Sequence, residues 1–319
     1  MKNQIEEALS ELIEEEDADL YEELIGECDF VEPRFAEAAL KHEIFSPASL
    51  YKDASPKIRD SLIALLDNGE IDDLHVVNDV LLALSEIGDE EVLKAFTRWE
   101  ENPPKWREKL HVGPKAYAME GNWCMEDDKK KSLIFDKCYA IVEDEDAQEV
   151  HNNLYGGPSE DRCPHCESQY VNLLRLDGEA PQLQGFDIKG KLTVKTCMSC
   201  LPYGDYIFCK YDENGESKVV YHESGDGDEI DDEDQTQAED HCFVLSEKPV
   251  AMRYCNEWHG SAVGGVPQYI DDANYPACPE CGKVMKHLAQ LGEEYTEYGN
   301  IYVRVCQSCK IAATNYQQT

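Results

Sequence analysis

The sequence predicts an α+β protein, in which an N-terminal helical array precedes a β-rich, internally duplicated domain with two four-cysteine sites. Three observations predict this class: apolar residues at helical spacing in the first third, alternating apolar residues in the second half, and four Cys-x-x-Cys pairs. We expect the helical region to span residues 1–104 and the duplicated domain to span residues 105–319. The boundary is placed where Pro103-Pro104 interrupts the helical pattern.

The predicted helices carry apolar stripes and recognisable end signals. Ser55-Pro56 places a capping residue before a proline at the first helical position, and Gly88-Asp89 ends one helix and caps the next. The stretch from Leu81 to Leu93, built around that Gly-Asp junction, resembles a HEAT-type repeat of the phycobilisome-lyase kind. The resemblance implies stacked helix pairs, a shape suited to holding a partner. An ordinary antiparallel helical array is the alternative.

Residues from about 105 to 150 differ in character from the helical region. Residues 121–124 and 131–142 read as short strands around a turn at 127–129. We expect this segment to lead into the cysteine-rich region as part of its sheet.

The four Cys-x-x-Cys pairs have the spacing of zinc sites, because in each set a second pair follows the first after an intervening stretch of strand-like sequence. Two such pairs supply four thiolates to one tetrahedral ion. The predicted ligands of the first ion are Cys163, Cys166, Cys197 and Cys200, and those of the second are Cys278, Cys281, Cys306 and Cys309. Four thiolates leave no position for water or substrate, so we predict two structural Zn²⁺ ions per chain. A redox dithiol is the alternative reading of the motif.

The two sets resemble copies of one unit. In each, a glycine pair, a first cysteine pair, an apolar strand, a second strand and a second cysteine pair occur in the same order. We therefore predict a tandem duplication, with copies at about 105–215 and 242–319 and an acidic loop at about 223–241. The remaining cysteines have no ligand spacing, and most read as small buried hydrophobic residues. They are Cys28, Cys124, Cys138, Cys209, Cys242 and Cys255.

The formal net charge of −38 argues against nucleic acid as a direct partner, since nucleic-acid binding depends on clustered Lys and Arg. We expect a basic protein partner, drawn in by long-range attraction; the alternative is that acidity serves solubility alone. Residues 3–33 contain no Lys or Arg. Glu14, Glu15 and Glu16 in that stretch are the candidate partner-binding residues.

No apolar run approaches the 18 residues of a membrane span, and acid-rich helix rather than a secretory signal follows Met1. We therefore expect no membrane partner and a reducing, cytoplasmic location, where zinc is favoured over disulfides.

The stretch Gly264-Gly265-Val266-Pro267-Gln268-Tyr269-Ile270, followed by Cys-Pro-Glu-Cys-Gly at 278–282, resembles the signature of the YwqG and programmed-cell-death-two-like family. The resemblance implies a β-rich, duplicated domain over residues 105–319 and a role in binding a partner. It supplies no catalytic residue. The first copy departs from the signature, because Gly156-Gly157-Pro158 lacks the spacer and the aromatic residue.

We find no HExxH, GxSxG or P-loop motif in the sequence, and we expect the protein not to be an enzyme. The predicted function is that of a zinc-stabilised binding protein: an adaptor, a dedicated chaperone or a toxin-immunity factor that captures a basic protein. The alternative is a zinc-dependent enzyme or a metal-handling protein with an open zinc position.

Overall fold

A computed structural model describes residues 1–68, 71, 73–126, 129–144, 153–222, 242–255, 260–296 and 298–318. The predicted acidic loop at 223–241 lies outside the described residues. The chain divides into two compact units, one formed by Met1–Ile25 with Asp29–Leu133 and the other by Gly26–Cys28 with Ile134–Thr319. Together with the helices and sheets below, this organisation bears out the α+β class.

The first unit contains helices whose buried faces follow the predicted stripes; one of them, α2, ends with two residues that are grouped with the second unit. The helices are α1 (Lys2–Glu14), α2 (Asp19–Glu27), α3 (Arg34–His42), α4 (Pro56–Asp67), α5 (Leu74–Ile87) and α6 (Glu90–Glu101). Helix α1 buries Ala8, Leu9 and Leu12, as expected for apolar residues that recur on one face. Short 3₁₀ turns lie at Ala48–Tyr51, Lys105–Lys109 and Pro114–Ala118.

The Gly88-Asp89 junction has the predicted geometry. Gly88 ends α5 in the left-handed conformation, with φ of 50°. The Asp89 side chain accepts hydrogen bonds from the backbone N–H groups of Glu91 and Val92 at the start of α6. A Cβ at Gly88 would lie 2.6 Å from Nε1 of Trp123, so the close packing as well as the backbone conformation requires glycine.

Strands β1 (Trp123–Glu126) and β2 (Lys129–Ser132) form a separate two-stranded antiparallel sheet in the first unit. The strand prediction for this segment is confirmed, but the expectation that all of it joins the cysteine-rich sheet is wrong. The predicted turn includes residues 127–128, which lie outside the described residues. Of this segment, β3 (Cys138–Glu143) joins the eight-stranded sheet of the second unit. Strands β1 and β2 do not, because Trp123 of β1 is buried in the helical core.

The second unit contains an eight-stranded and a three-stranded sheet. The three-stranded sheet has the order β4 (Gly157–Arg162), β5 (Gln169–Asp177), β6 (Lys191–Thr196). The further strands are β7 (Ile207–Tyr211), β8 (Ser217–His222), β9 (Phe243–Leu245), β10 (Ala262–Gly264), β11 (Lys286–Leu291), β12 (Asn300–Cys306) and β13 (Ile311–Gln317). The larger sheet has the order β8-β7-β13-β12-β11-β10-β3-β9. Leu174 and Val194 of the small sheet share one buried cluster with Leu288 and Val303 of the large one, so apolar strand faces join the two sheets.

The hairpins β5–β6 and β11–β12 carry the same irregularity at the same place. In the first, the register shifts between Asn172 and Leu174; in the second, it shifts between His287 and Ala289. The skipped residues, Leu173 and Leu288, lie equally far along the chain from Cys163 and Cys278, and both are fully buried. A β-bulge is a specific backbone feature, so its repetition at one offset relates the two hairpins in detail.

Candidate metal centres and acidic surface

Two groups of four cysteines lie together in the second unit, and their members are those that the spacing predicted. In each group, all four Sγ atoms lie within 4.8 Å of one another. The groups are Cys163, Cys166, Cys197 and Cys200, and Cys278, Cys281, Cys306 and Cys309. All fourteen cysteines are free thiols, so the short Sγ separations are not disulfides.

The measured separations fit a tetrahedral ion. A Zn–S bond of about 2.3 Å sets the edges of an S₄ tetrahedron at about 3.8 Å. The Sγ atoms of Cys163 and Cys200 are 3.8 Å apart, those of Cys166 and Cys197 are 3.4 Å apart, and those of Cys281 and Cys306 are 3.7 Å apart. Both groups can therefore hold one metal ion with four sulfur ligands and little rearrangement.

The first cysteine pair of each group lies in the same kind of turn. Cys163 N–H donates to the Ser168 carbonyl, and Cys278 N–H donates to the Lys283 carbonyl. The residue after the second cysteine is left-handed in both: Glu167 has φ of 63°, and Gly282 has φ of 70°. This turn brings two thiols to one side of the chain, and the hairpin that follows returns the second pair to the same point.

The thiol pKa values reflect four sulfurs gathered in partly buried space. Burial, followed by the neighbouring Cys200 thiolate, raises the pKa of Cys197, and burial raises the pKa of Cys278 to about 12. At the exposed corner of the second group, a backbone hydrogen bond from Lys283 lowers the pKa of Cys281 to about 7. A bound divalent cation offsets the repulsion between closely spaced, partly buried thiolates. Metal binding is therefore coupled to the loss of protons from the cysteine thiols.

The two groups differ in their surroundings. His222, at the end of β8, places Nδ1 3.5 Å from Cys163 Sγ, and its ring makes an edge contact with His165 at 4.6 Å. Burial lowers the pKa of His222, and His165 lowers it further. Cys281 of the second group is exposed. Sequence spacing could not identify His222, because it lies on a different hairpin from the cysteines that it approaches.

Glu14, Glu15 and Glu16 lie at the C-terminal end of α1 in the first unit, and all three are exposed. Glu14 borders a groove of about 540 Å³ between α1 and α3, together with Ile13, whose exposed fraction is 42%. Arg34 also borders this groove but is paired with Glu6 and Glu32. None of the three glutamates makes an ion pair with a residue in the described part of the chain, so their charges are available.

No protein-family profile matches the chain, and no solved structure matches it. The chain is similar to the uncharacterized protein YpfL of Salmonella typhimurium strain LT2, with 31% identity over 296 residues. The similarity covers 87% of this chain and 66% of that protein, so the chain spans just under two thirds of the relative's length. Within the described ranges, none of the helices combines the length and apolar character needed to cross a membrane.

Proposed function

We propose that this protein is a cytoplasmic, zinc-stabilised binding protein that captures a basic protein partner as an adaptor, dedicated chaperone or toxin-immunity factor. The observation that carries the partner proposal is the unpaired acidic end of α1, where Glu14 borders a groove that also exposes Ile13. Acidic charge beside exposed apolar surface favours a basic protein over nucleic acid or membrane.

The metal in both four-cysteine groups is proposed to be zinc. A closed set of four thiolates suits zinc, and the Sγ separations match a tetrahedral zinc site. The expected result is two equivalents of zinc per chain, each with sulfur ligands at about 2.3 Å by X-ray absorption. Iron, well under two equivalents of metal, or nitrogen and oxygen ligands would contradict the assignment.

The second unit is proposed to be an internal duplication of the YwqG-like kind, and the first unit a HEAT-like array. The duplication is supported by the shared turn at the first cysteine pair and the shared bulge in the following hairpin. The resemblance to YwqG-like proteins favours partner binding.

The alternative function is that of a zinc-dependent enzyme or a metal-handling protein. This alternative requires a zinc ion with an open or exchangeable ligand position. Cys281 of the second group supports it, because an exposed ligand is accessible to a competing group. Chelator competition distinguishes the two: slow release from both sites supports structural zinc, whereas fast exchange at one site supports metal handling.

To test the partner proposal, proteins that bind this chain are captured from the source cells at low salt. Their rate of association with the chain is then measured at increasing ionic strength. We expect a basic partner whose association rate falls as the Debye length shortens from about 10 Å at 0.1 M salt to about 3 Å at 1 M. Glu14→Lys should slow association further. Glu101→Lys, which changes the last residue of α6 in the same way, is the matched control. An acidic partner, or a rate that ignores salt, would overturn electrostatic capture.

A further inference from the structure

The two four-cysteine groups have closely matched internal geometry. In each, the second cysteine of the first pair lies beside the first cysteine of the second pair. The Sγ atoms of Cys166 and Cys197 are 3.4 Å apart, and those of Cys281 and Cys306 are 3.7 Å apart. A difference in reactivity between these two pairs of thiols must therefore come from their surroundings.

The first group is enclosed by the core of the second unit. Three of its cysteines are buried in the cluster that joins the two sheets, and Cys166 packs against the same cluster. The chain leaves the second cysteine pair in a 3₁₀ turn, Leu201–Tyr203, and Leu201 is also buried in that cluster. His222 Nδ1 lies 3.5 Å from Cys163 Sγ. A reagent dissolved in water therefore has little access to these sulfurs.

The second group lies against a smaller apolar cluster and reaches the surface. Cys278 and Cys306 are buried with Met285 in that cluster, which is separate from the one that joins the two sheets. Cys309 is partly exposed, and Cys281 is exposed. Of the eight predicted ligands, only Cys281 is exposed rather than buried or partly buried.

Exposure decides which of these cysteines an oxidant reaches. A cysteine that coordinates a metal ion has already lost its proton, so all eight sulfurs are thiolates in the zinc-loaded chain. Oxidation of cysteine depends on thiolate character and on access from solvent, and only access differs here. Cys281 is therefore the first target. Cys306, with an exposed fraction of 8%, is largely protected but places a second sulfur within reach of Cys281.

We propose that Cys281 is an oxidation site, at which a peroxide joins it to Cys306 in a disulfide and so empties the second four-cysteine group while the first keeps its metal. The inference rests on the proposed zinc sites. It is independent of the capture of a basic partner by the acidic end of α1.

The reaction takes two steps. The Cys281 thiolate attacks one oxygen of hydrogen peroxide; an S–O bond forms, the O–O bond breaks, and hydroxide leaves. The Cys306 thiolate then attacks the sulfur of the resulting sulfenic acid; the S–S bond forms, the S–O bond breaks, and a second hydroxide leaves. The two thiolates lose two electrons in total, and the peroxide gains them. Cys278 and Cys309 remain as two ligands, which are too few for a four-coordinate site.

The test exposes the full zinc-loaded chain to hydrogen peroxide in the presence of a colorimetric zinc indicator. We expect the chain to lose one of its two equivalents of zinc, and peptide mapping by mass spectrometry should find a disulfide between Cys281 and Cys306. Dithiothreitol with added zinc should restore two equivalents, because a disulfide is reversible whereas a sulfinic acid is not. Loss of both equivalents together, loss without peroxide, or a disulfide within the first group overturns the proposal.

A ligand exchange tests the role of the exposed sulfur. Cys281→His keeps a fourth ligand, because three thiolates and one imidazole form a common zinc site, but it removes the sulfur that the peroxide reaches. We expect this variant to hold two equivalents before and after peroxide. Cys242→Ser, which removes a partly buried thiol outside both groups, should lose one equivalent as the wild-type protein does. Peroxide-dependent zinc loss from Cys281→His would contradict the assignment.

Two measurements keep the outcomes distinct. If Cys281→His does not bind its second ion, the disulfide map of the oxidised wild-type chain decides the question. A chain that carries no zinc before oxidation would contradict the zinc assignment and this inference together. A chain whose two equivalents both withstand peroxide that fully oxidises free cysteine would contradict the oxidation site alone.

Discussion

Arg304 is a completely buried guanidinium that is surrounded by aromatic rings. The rings of Tyr275, Tyr302 and Tyr269 lie 4.8, 5.3 and 5.6 Å from its central carbon, and one nitrogen is 3.0 Å from His287 Nδ1. A desolvated cation–π contact contributes about 2 kcal/mol, so three rings offset a large part of the cost of burying the charge. Arg304 therefore holds Tyr269 and Asn274 against β12.

Replacing this arginine should destabilise the second unit. Arg304→Met leaves the Asn274 carbonyl and His287 Nδ1 without their hydrogen-bond donor, and we expect a loss of about 2 kcal/mol or more in the free energy of unfolding. Urea unfolding followed by near-ultraviolet circular dichroism measures this loss. The exposed Arg162, which donates to the Glu167 carbonyl, is the control, and Arg162→Met should cost about 0.5 kcal/mol or less. Equal effects of the two substitutions would contradict the role assigned to Arg304.

His287 should make stability depend on pH. Burial lowers its pKa well below the ordinary value, and the charge of Arg304 lowers it further. The unfolded chain binds a proton near pH 6.5 that the folded chain does not, so stability falls as pH drops below about 6.5, by up to about 1.4 kcal/mol per pH unit.

The measurement compares the pH dependence of unfolding in wild-type protein and in His287→Gln between about pH 7.5 and 5.5. Acid also weakens the binding of metal by thiolates, but that effect is common to both proteins. The difference between the two slopes therefore isolates the histidine. Identical slopes would show that the folded protein protonates His287 as readily as the unfolded chain does.

At the scale of elements, the junction between α5 and α6 depends on Asp89. One carboxylate oxygen caps two backbone N–H groups, and the other is 2.5 Å from Arg59 of α4. One side chain therefore starts α6 and connects it to α4 within the helical unit.

Asp89→Ala should lower the free energy of unfolding of the helical unit by about 1–2 kcal/mol, because the cap is lost. Asp89→Asn, which retains a capping oxygen, should recover most of that loss. Asp60→Ala removes the other ion pair of Arg59 without removing a cap, and it should cost about 0.5 kcal/mol or less. Thermal unfolding monitored by far-ultraviolet circular dichroism measures the stability of all three variants. If Asp60→Ala lowers stability as much as Asp89→Ala does, the loss comes from the ion pairs of Arg59 and not from the helix cap.

At the scale of the whole molecule, the two compact units have separate buried clusters. Each four-cysteine group in the second unit joins the ends of a hairpin, and metal binding of this kind supplies folding free energy, on the order of 10 kcal/mol per site in isolated peptides. The first unit contains none of the eight predicted ligands. Loss of metal should therefore destabilise the second unit and leave the stability of the first unit unchanged.

Cys281→Ser should reduce zinc from two equivalents to one, unfold the hairpin β11–β12 region and leave the helical unit folded. Metal analysis and amide hydrogen exchange of α1–α6 measure the two effects. Cys242→Ser, a change at a partly buried cysteine outside both groups, should leave the zinc content at two equivalents. Retention of two zinc ions and unchanged exchange in Cys281→Ser would show that this site is not structural.

The sequence by itself determined the features that short-range patterns encode. Cys-x-x-Cys spacing identified all eight clustered thiols and their grouping, and Gly88 and Asp89 identified a helix junction, because caps and turns depend on a few neighbouring residues. The strand predictions for β6 and β12 rested on alternation, which is equally local. The acidic segment at 223–241 remains a prediction from composition.

Only the tertiary structure decided which strands share a sheet and which faces stay open. The sequence predicted strands in the segment of β1 and β2, but Trp123 packs into the helical core, so this hairpin belongs to the first unit. His222 reaches Cys163, and side chains of β11 and β13 bind the backbone of residues 268–272. These arrangements depend on packing between distant segments, and hydrophobic period and motif spacing carry no information about such contacts.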